Sequence, residues 1–316
     1  MESLKDVLAS LKEQDLEEIA CKVNVNYRSF ESKELAASEI SNVILNNISL
    51  LTKIYSKKTL KHLYSACTED KVNEDLDFNT LYCDGICYIQ KEGNEKLVKV
   101  SPDLKKAFLD FYETDDAKDK IKVYDELEDL ISGIVKVYGV IDSDSIYEVF
   151  CDVKLSKEDE FDDEDEFDHF LYSRDQFGKN YDIIEDENGN EYYYHNSIDD
   201  PEEALDSINE KDEGRTLLGR ADYIKFGKSE IGYATDEKAY NEFSKYILKL
   251  TDGDEDKTDD IVNTVMYDIK TNNLDDLMLD IMTYVDMDTE DEHEEIKTYL
   301  SNLYENTPTW SGKFLK

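Results

Sequence analysis

The stretch "KEDEFDDEDEFDHFLYSR" (157–174) combines a dense run of acids with regularly spaced apolar residues. Carboxylates occupy nine of the eleven positions from 158 to 168, and Phe161 and Phe167 lie inside the run. Disordered acidic segments are poor in aromatic residues, whereas acids four residues apart repel each other in a helix. Two interpretations therefore stay open: an ordered acidic surface, or a solvated loop between folded parts.

Downstream of these acids, the sequence predicts a helix followed by a β-hairpin. Phe170, Leu171 and Arg174 share one face of the predicted helix. The segment "NYDIIEDENGNEYYYHNSI" (180–198) predicts two strands joined at Asn-Gly, a dipeptide favoured in tight hairpin turns. Two more helices are predicted in 123–153, so the order of elements is that of a winged-helix-like module.

The N-terminal part of the chain repeats this order after an opening helical hairpin. Apolar residues at helical spacing predict two or three short helices in 1–48. A helix that begins after Ser56, two strands around the turn "EGNE" (92–95) and a helix with Pro102 at its first position follow. They predict a first winged-helix-like module in 49–114.

These patterns predict a mainly α fold with small β-hairpins, in the α+β class. Only three Pro and 12 Gly among 316 residues favour long helices over loop-rich β structure. The predicted domains are a helical hairpin (1–48), a first winged-helix-like module (49–114), an acidic second winged-helix-like module (120–200) and a C-terminal helical domain (201–316).

The formal net charge of −41 is distributed unevenly along the chain. Residues 1–110 carry 15 Lys or Arg against 19 Asp or Glu, whereas residues 111–316 carry 21 against 58. A general adaptation of the surface would acidify both parts, so the asymmetry favours a specific task. Such a field repels nucleic acid and anionic membranes and attracts basic partners.

The sequence predicts a cytoplasmic protein without membrane contact. It has no apolar run near the roughly 18 residues of a membrane span, and acids throughout its first twenty residues are untypical of a targeting peptide. Five cysteines, an odd number, fit reduced thiols better than a disulfide framework. Cys83 and Cys87 lack the second Cys/His pair of a zinc site, so we interpret them as small buried residues.

Three segments resemble a group of uncharacterised proteins from Gram-positive bacteria and their mobile elements. The segments are "DLEEIACKVNV" (15–25), "VYGVIDSDSIYEVF" (137–150) and "LYENTPTW" (303–310). The resemblance implies an N-terminal Rho-N/SAP-like helical hairpin followed by helix-and-wing modules, and it implies no activity. This sequence departs from the group at 311–313, where Ser-Gly-Lys replaces a Gly-His-Thr-Pro stretch, and in lacking the cysteine-rich SEC-C tail.

Direct binding of nucleic acid is not expected from the acidic module. A recognition helix needs Arg or Lys for phosphates and base edges, but the candidate helix offers Arg174 alone, and the adjacent wing (182–191) is acidic. A modest basic cluster lies near the N-terminus, at Lys53, Lys57, Lys58 and Lys61. A regulator that binds DNA through residues 1–110 therefore stays open as a third interpretation.

The acidic run matches the charge spacing of DNA. A duplex presents one charge per roughly 1.7 Å of its axis. Nine acids on eleven helical residues, at a rise of about 1.5 Å each, give one per roughly 1.8 Å. Further acidic patches lie at 199–206, 252–260 and 286–295. The apolar residues Leu205, Ile261 and Ile296, within or directly after them, would hold their carboxylates on ordered elements.

No catalytic or cofactor motif is present, and we expect neither an enzyme nor a cofactor. The sequence contains no phosphate-binding loop, nucleophile elbow, zincin motif or kinase set. The segment "DGDEDKTDDIVN" (252–263) resembles a calcium loop but has Lys257 in place of the required Gly and Asn263 in place of the bidentate Glu. We therefore predict no metal site.

The expected function is that of a non-enzymatic acidic inhibitor, a nucleic-acid mimic that occupies the basic groove of a nucleic-acid-binding protein. A nuclease or other defence effector is the expected partner, and a phage or mobile element the expected carrier. The alternative is an adaptor or transcription-associated scaffold with vestigial winged-helix modules. The predicted partner-binding residues are Glu158, Asp159, Glu160, Asp162, Asp163, Glu164, Asp165, Glu166, Asp168, Asp182, Glu185, Asp186, Glu187, Glu191, Tyr193, Asp252, Asp254, Glu255 and Asp256.

Overall fold

The structure, a computed structural model, is mainly helical with two small antiparallel sheets. It describes residues 3–69, 78–92, 95–153, 161, 163–174, 180–209, 217–285, 287 and 289–310. The helices are α1 (Leu4–Ser10), α2 (Glu13–Lys22), a 3₁₀ turn (Tyr27–Ser29), α3 (Lys33–Asn46), α4 (Leu50–Ile54), α5 (Lys57–Thr68), α6 (Asn79–Cys83), α7 (Pro102–Tyr112), α8 (Asp115–Tyr138), α9 (Ser143–Val153), α10 (Glu164–Ser173), α11 (Pro201–Asn209), α12 (Arg220–Lys228), α13 (Glu237–Leu250), α14 (Glu255–Asp268), α15 (Leu274–Tyr284) and α16 (Glu290–Glu305). The strands are β1 (Tyr88–Glu92), β2 (Glu95–Lys99), β3 (Val140–Asp142), β4 (Tyr181–Glu185) and β5 (Glu191–His195).

The predicted α+β class is confirmed at this level, and the chain forms two compact units. The first unit comprises Met1–Leu127 and Phe161–Lys179, and the second comprises Glu128–Glu160 and Asn180–Lys316. The chain passes from the first unit to the second within α8, returns at Phe161 and leaves again at Asn180. The segment predicted as one acidic module, 120–200, therefore contributes to both units.

The first unit has a helical core that includes the N-terminal helices. Ser3 and Asp6 form a capping box at the start of α1, whose apolar face lies in the core. Helices α1, α3 and α7 pack against one another, and the β1–β2 hairpin contacts α5 through β2. A buried carboxylate, Asp84, accepts hydrogen bonds from Lys22 Nζ at 2.9 Å and from the Tyr55 hydroxyl at 2.7 Å.

Helix α10 completes the first unit by contacting α2 and α4. The Phe161 ring lies against Phe167 and Phe170, with centroids 5.4 and 5.2 Å away, and all three side chains are buried. This aromatic cluster explains why phenylalanines are interleaved with the acids. The described part of the acidic run is an ordered helix start rather than a solvated loop.

Arg174, at the end of α10, is a structural residue of the first unit. Its side chain is fully buried, and Nη1 donates hydrogen bonds to the carbonyl oxygens of Thr52 and Tyr55, both at 2.9 Å. Its Nη2 forms an ion pair with Asp125 at 2.5 Å. Because its side chain is fully buried and paired with Asp125, Arg174 presents no charge for binding phosphates.

In the second unit, a three-stranded sheet has the order β3–β5–β4. Val140 pairs with Tyr194 on one side of the central strand, and Asp182 pairs with Tyr194 on the other. The turn between β4 and β5 contains Gly189 at a φ of +83°, in agreement with the predicted Asn-Gly turn.

Helices α13 to α16 form the larger core of the second unit. Helix α13 packs against α14 and α16, and α15 packs against both of these. Each of the four helices begins with a polar side chain that accepts backbone N–H groups of the first turn, as capping requires. These N-cap residues are Asp236, Asp254, Asn273 and Thr289.

Within the described residues, none of the helices has both the length and the apolar character that crossing a membrane requires.

Replacing Gly139 should destabilise the second unit more than replacing Gly189. Both glycines have a positive φ, which costs other residues about 1–2 kcal/mol. A Cβ atom at Gly139 would also lie 2.2 Å from Trp310 Nε1, whereas one at Gly189 would have no neighbour within 4 Å. We expect Gly139→Ala to lower the free energy of unfolding by about 3 kcal/mol or more and Gly189→Ala by about 1–2. Urea unfolding followed by the fluorescence of Trp310, the single tryptophan, measures both, and equal losses would contradict the contact with the indole.

Replacing Arg174 should destabilise the first unit severely. Arg174→Met removes the cation that pairs with Asp125 and the donor to two buried carbonyl groups, which should cost about 3–5 kcal/mol. Arg28→Met is the matched control, because the Arg28 side chain is 88% exposed beside Glu17 and should contribute less than about 1 kcal/mol. Urea unfolding followed by far-UV circular dichroism compares them, and similar midpoints would refute the structural role of Arg174.

Candidate functional site

In the described part of the acidic run, hydrogen bonds and an ion pair engage some of the predicted carboxylates. Four of the predicted partner-binding residues lie outside the described residues: Glu158, Asp159, Glu160 and Asp162. Asp163 is the N-cap of α10 and accepts a hydrogen bond from the Glu166 backbone N–H at 3.0 Å. The Glu166 side chain pairs with Lys53 Nζ at 2.9 Å. Asp168 is half-buried, so Glu164 and Asp165 are the exposed predicted residues of this helix.

The predicted wing, 182–191, is the β4–β5 hairpin of the second unit. Asp182, Glu185, Glu187 and Glu191 are exposed. The Asp186 carboxylate instead orders the turn, because it accepts hydrogen bonds from the backbone N–H groups of 188 and 190 at 2.8 and 2.9 Å. These bonds, with that from the Asn190 side chain, hold its pKa below the usual value.

Tyr193 lies on the central strand of this sheet and is half-buried. Its cross-strand neighbours are Ile141, which is buried, and Ile183, which is 47% exposed. Tyr193, a predicted partner-binding residue, is therefore a partly covered ring beside an exposed isoleucine.

All acids of the predicted 252–260 patch are exposed. Asp252, Glu255 and Asp256 project from the turn and first helical residues at the start of α14. Asp254 caps this helix and accepts the Lys257 N–H at 3.0 Å. The positive end of the helix dipole favours acids at this position, so local structure stabilises the patch without neutralising it.

A cleft in the second unit brings together acids that are distant in sequence. Its volume is about 860 Å³, within the usual range of roughly 300–1,000 Å³ for ligand sites. It lies among the segment after β5, the start of α11, the loop 229–236, and helices α13 and α14. The lining residues are Ser197, Asp199, Asp200, Glu203, Glu230, Ile231, Gly232, Tyr233, Tyr240, Asp260, Asn263, Thr264, Met266 and Tyr267.

Three tyrosines form the aromatic wall of the cleft. The Tyr233 hydroxyl donates to the Ser197 carbonyl oxygen at 2.8 Å, and the Tyr267 hydroxyl lies 3.4 Å from Glu203 Oε2. The Tyr267 ring also meets Trp310 edge to face, with centroids 5.4 Å apart. Tyr240, from α13, supplies the third ring.

The lining of the cleft is strongly electronegative. Five of the lining residues are Asp or Glu, and the residues described as lining it include no Lys, Arg or His. Burial, followed by the charges of Glu203 and Asp200, raises the pKa of Tyr267 to about 12. Burial, followed by the charge of Asp199, likewise raises the pKa of Tyr233. The phenols are therefore neutral at physiological pH, and the carboxylates set the local potential.

Two buried lysines of the second unit hold backbone carbonyls. Lys136 Nζ donates to the Ser229 carbonyl oxygen at 2.6 Å, at the C-terminal end of α12, where a cation is favourable. Lys270 Nζ donates to the carbonyl oxygens of Ala234 and Pro308, at 3.3 and 2.9 Å. Burial lowers the pKa of Lys136 to about 8 and that of Lys270 to about 7.

The cleft residues are missing from the predicted site, although two signals in the sequence pointed toward them. The acidic patches 199–206 and 252–260 contain four of the five carboxylates. Tyr233, Tyr240 and Tyr267 belong to the abundant tyrosines of the C-terminal part. Their convergence depends on how α11, α13 and α14 pack, which spacing along the chain does not specify.

Among the described residues, no group of three or more His, Cys, Asp or Glu side chains is arranged to hold a metal ion.

Comparison with protein-family models, curated proteins and solved structures found no match to this chain.

The stability of the second unit should rise with pH between about pH 7 and 9.5. Because the folded-state pKa of Lys270 and Lys136 lies below the ordinary value of 10.5, the unfolded chain binds more protons in this range, so deprotonation favours the folded state. Lys270→Met should reduce this rise, and Lys270→Met with Lys136→Met should abolish it. The measurement is urea unfolding followed by Trp310 fluorescence at a series of pH values.

Lys238→Met is the control for this experiment, because the Lys238 side chain is 82% exposed. It should leave the pH dependence unchanged. A wild-type stability that stays constant from pH 7 to 9.5 would show that the two lysines do not titrate as described.

Proposed function

We propose that this chain is a non-enzymatic acidic protein that binds a basic, nucleic-acid-binding partner and competes with nucleic acid for it. The observation that carries the proposal is the ordered, exposed patch at 252–260, in which Asp252, Asp254, Glu255, Asp256, Asp259 and Asp260 are all exposed. A cationic groove that holds phosphates offers the charge complementary to such a patch.

The charge balance of the second unit supports this proposal. Residues 180–310 carry 36 Asp or Glu against 11 Lys or Arg, a net formal charge of −25. One of these lysines, Lys270, is buried and offers little compensation at the surface. Over a Debye length of about 8 Å in cellular salt, this excess accelerates encounter with basic surfaces and disfavours nucleic acid as the ligand.

Local structure gives the exposed acids a defined geometry, which imitation of a nucleic acid requires. Asp254 fixes the start of α14, and Asp186 fixes the turn of the β4–β5 hairpin. A mobile acidic tail would have the same charge without this order and would lose more conformational entropy on binding. We place the action in the cytoplasm and propose a nuclease or other defence effector as the partner class.

An adaptor with vestigial winged-helix modules is the second candidate. It is favoured by the strand order β3–β5–β4. The short strand β3, which lies between α8 and α9 in the chain, pairs with β5, the second strand of the hairpin. We propose on this basis that the segment from α8 to β5 derives from a winged-helix plan. The adaptor predicts binding that does not compete with nucleic acid, so one assay separates the candidates.

Neutralising four acids of the 252–260 patch should weaken binding to the basic partner. The immobilised chain is exposed to lysate of a Gram-positive bacterium at about 50 and 500 mM salt, because contacts to phosphate-binding surfaces weaken steeply with salt. Captured proteins are identified by mass spectrometry and then purified. Each is titrated with the chain in the presence of duplex DNA. We expect competition with DNA, and a loss of affinity of at least about tenfold for a variant carrying Asp252→Asn, Glu255→Gln, Asp256→Asn and Asp259→Asn.

A variant with the same change in charge is the control. Glu13, Glu31, Glu34 and Glu39 are exposed residues of the first unit, and changing all four to Gln should reduce the affinity by less than about threefold if the patch is the binding surface. Binding without competition for DNA, or equal losses for the two variants, would refute the proposal.

A further inference from the structure

The cleft of the second unit differs from the exposed acidic patches in being concave and partly apolar. Its walls combine the rings of Tyr233, Tyr240 and Tyr267 with the side chains of Ile231 and Met266. An open carboxylate surface leaves a bound cation hydrated, whereas a cleft of about 860 Å³ can enclose a whole side chain. The apolar walls and the carboxylates together therefore favour a ligand that has an apolar stem as well as a positive charge.

The second unit already contains the interaction that such a ligand would make. Lys249 Nζ lies 5.1 Å from the centroid of the Tyr246 ring and 3.5 Å from Glu295 Oε2. A tyrosine face and a carboxylate thus share one ammonium group, as expected for a cation–π contact supported by an ion pair. In the cleft, Tyr267 and Glu203 form a comparable pair, and the residues described as lining it include no Lys, Arg or His. Lys270, which is buried and not part of this lining, has its Nζ 5.7 Å from the centroid of the Tyr233 ring, so Tyr267 is the ring that pairs with a carboxylate for the ligand.

We propose that the cleft receives an arginine or lysine side chain of the basic partner. Glu203 and Asp199, which both line the cleft, would pair with the guanidinium or ammonium group, and the tyrosine rings would cover its aliphatic stem. Arginine fits better than lysine, because its planar group stacks on aromatic rings and is more weakly hydrated. This inference rests on the proposed function. It adds one specific contact, between the cleft and a single basic side chain, to an electrostatic attraction that otherwise involves the whole acidic surface.

The test uses a short peptide with two arginines, acetyl-Gly-Arg-Gly-Arg-Gly-amide, as the probe for the full chain. The same peptide with citrulline in place of arginine keeps the shape and lacks the charge. Binding is measured by calorimetry and by Trp310 fluorescence, since the Tyr267 ring lies against Trp310 and a ligand in the cleft should alter its emission. We expect the citrulline peptide to bind at least about tenfold more weakly.

Two variants with equal losses of charge locate the site. Glu203→Gln with Asp199→Asn removes two carboxylates from the cleft, whereas Glu255→Gln with Asp256→Asn removes two from the exposed patch. The cleft variant should weaken binding of the arginine peptide at least about tenfold and suppress the fluorescence change. The patch variant should weaken it less than about threefold. Far-UV circular dichroism confirms that both variants are folded.

Three results would overturn the proposal. Equal weakening by the two variants would mean diffuse attraction, and equal affinity for the citrulline peptide would mean that charge is not recognised. Free polyamines also combine ammonium groups with an apolar stem, and spermidine tests them as the ligand. If spermidine binds more tightly than the arginine peptide, and the cleft variant weakens both, the cleft is a polyamine site.

Failure of this inference is distinguishable from failure of the proposed function. If a partner competes with DNA but binds wild type and the cleft variant equally, the proposed function is supported and the role of the cleft is refuted. Conversely, if the arginine peptide binds in the cleft but no captured partner competes with DNA, the binding site is supported and the proposed function is refuted.

Discussion

Repulsion between like charges is the constraint that the second unit has to accommodate. Its carboxylates exceed its Lys and Arg residues by 25 between positions 180 and 310, so few of them can be paired. The fold places acids where backbone dipoles favour them, at the starts of α13, α14 and α16. The opposing force is burial of the apolar faces of α13 to α16, which keeps the helices together while their outer faces repel.

Cations in this protein serve the interior as well as the surface. Lys136, Lys270 and Arg174 each donate to backbone carbonyls in buried surroundings. They satisfy polar groups that would otherwise be buried without partners. The consequence for recognition is that these charges are removed from the surface, which makes the exposed potential more negative than the sequence count alone suggests.

The helix class, the hairpins and the caps could be predicted from the sequence because they depend on neighbouring residues. The Asn-Gly turn at 188–189 and Pro102 at the start of α7 are local signals that the structure reproduces. The packing partners of α10 could not be predicted, because its aromatic face fits any apolar surface. The carbonyl groups that Arg174 binds, those of Thr52 and Tyr55, are more than a hundred residues away in sequence. The cleft was missed for the same reason, since tertiary packing alone brings Glu203 to Tyr267.

The position of Arg174 also has a consequence for synthesis of the protein. Domains generally fold from the N-terminus as the chain leaves the ribosome. The carbonyl groups of Thr52 and Tyr55, however, can be bound by Arg174 only after about 120 more residues have been synthesised. The first unit therefore cannot complete these contacts until α8, α9 and α10 have all been synthesised. Translation pauses before codon 174 would prolong that incomplete state, and expression of residues 1–127 alone would make it permanent.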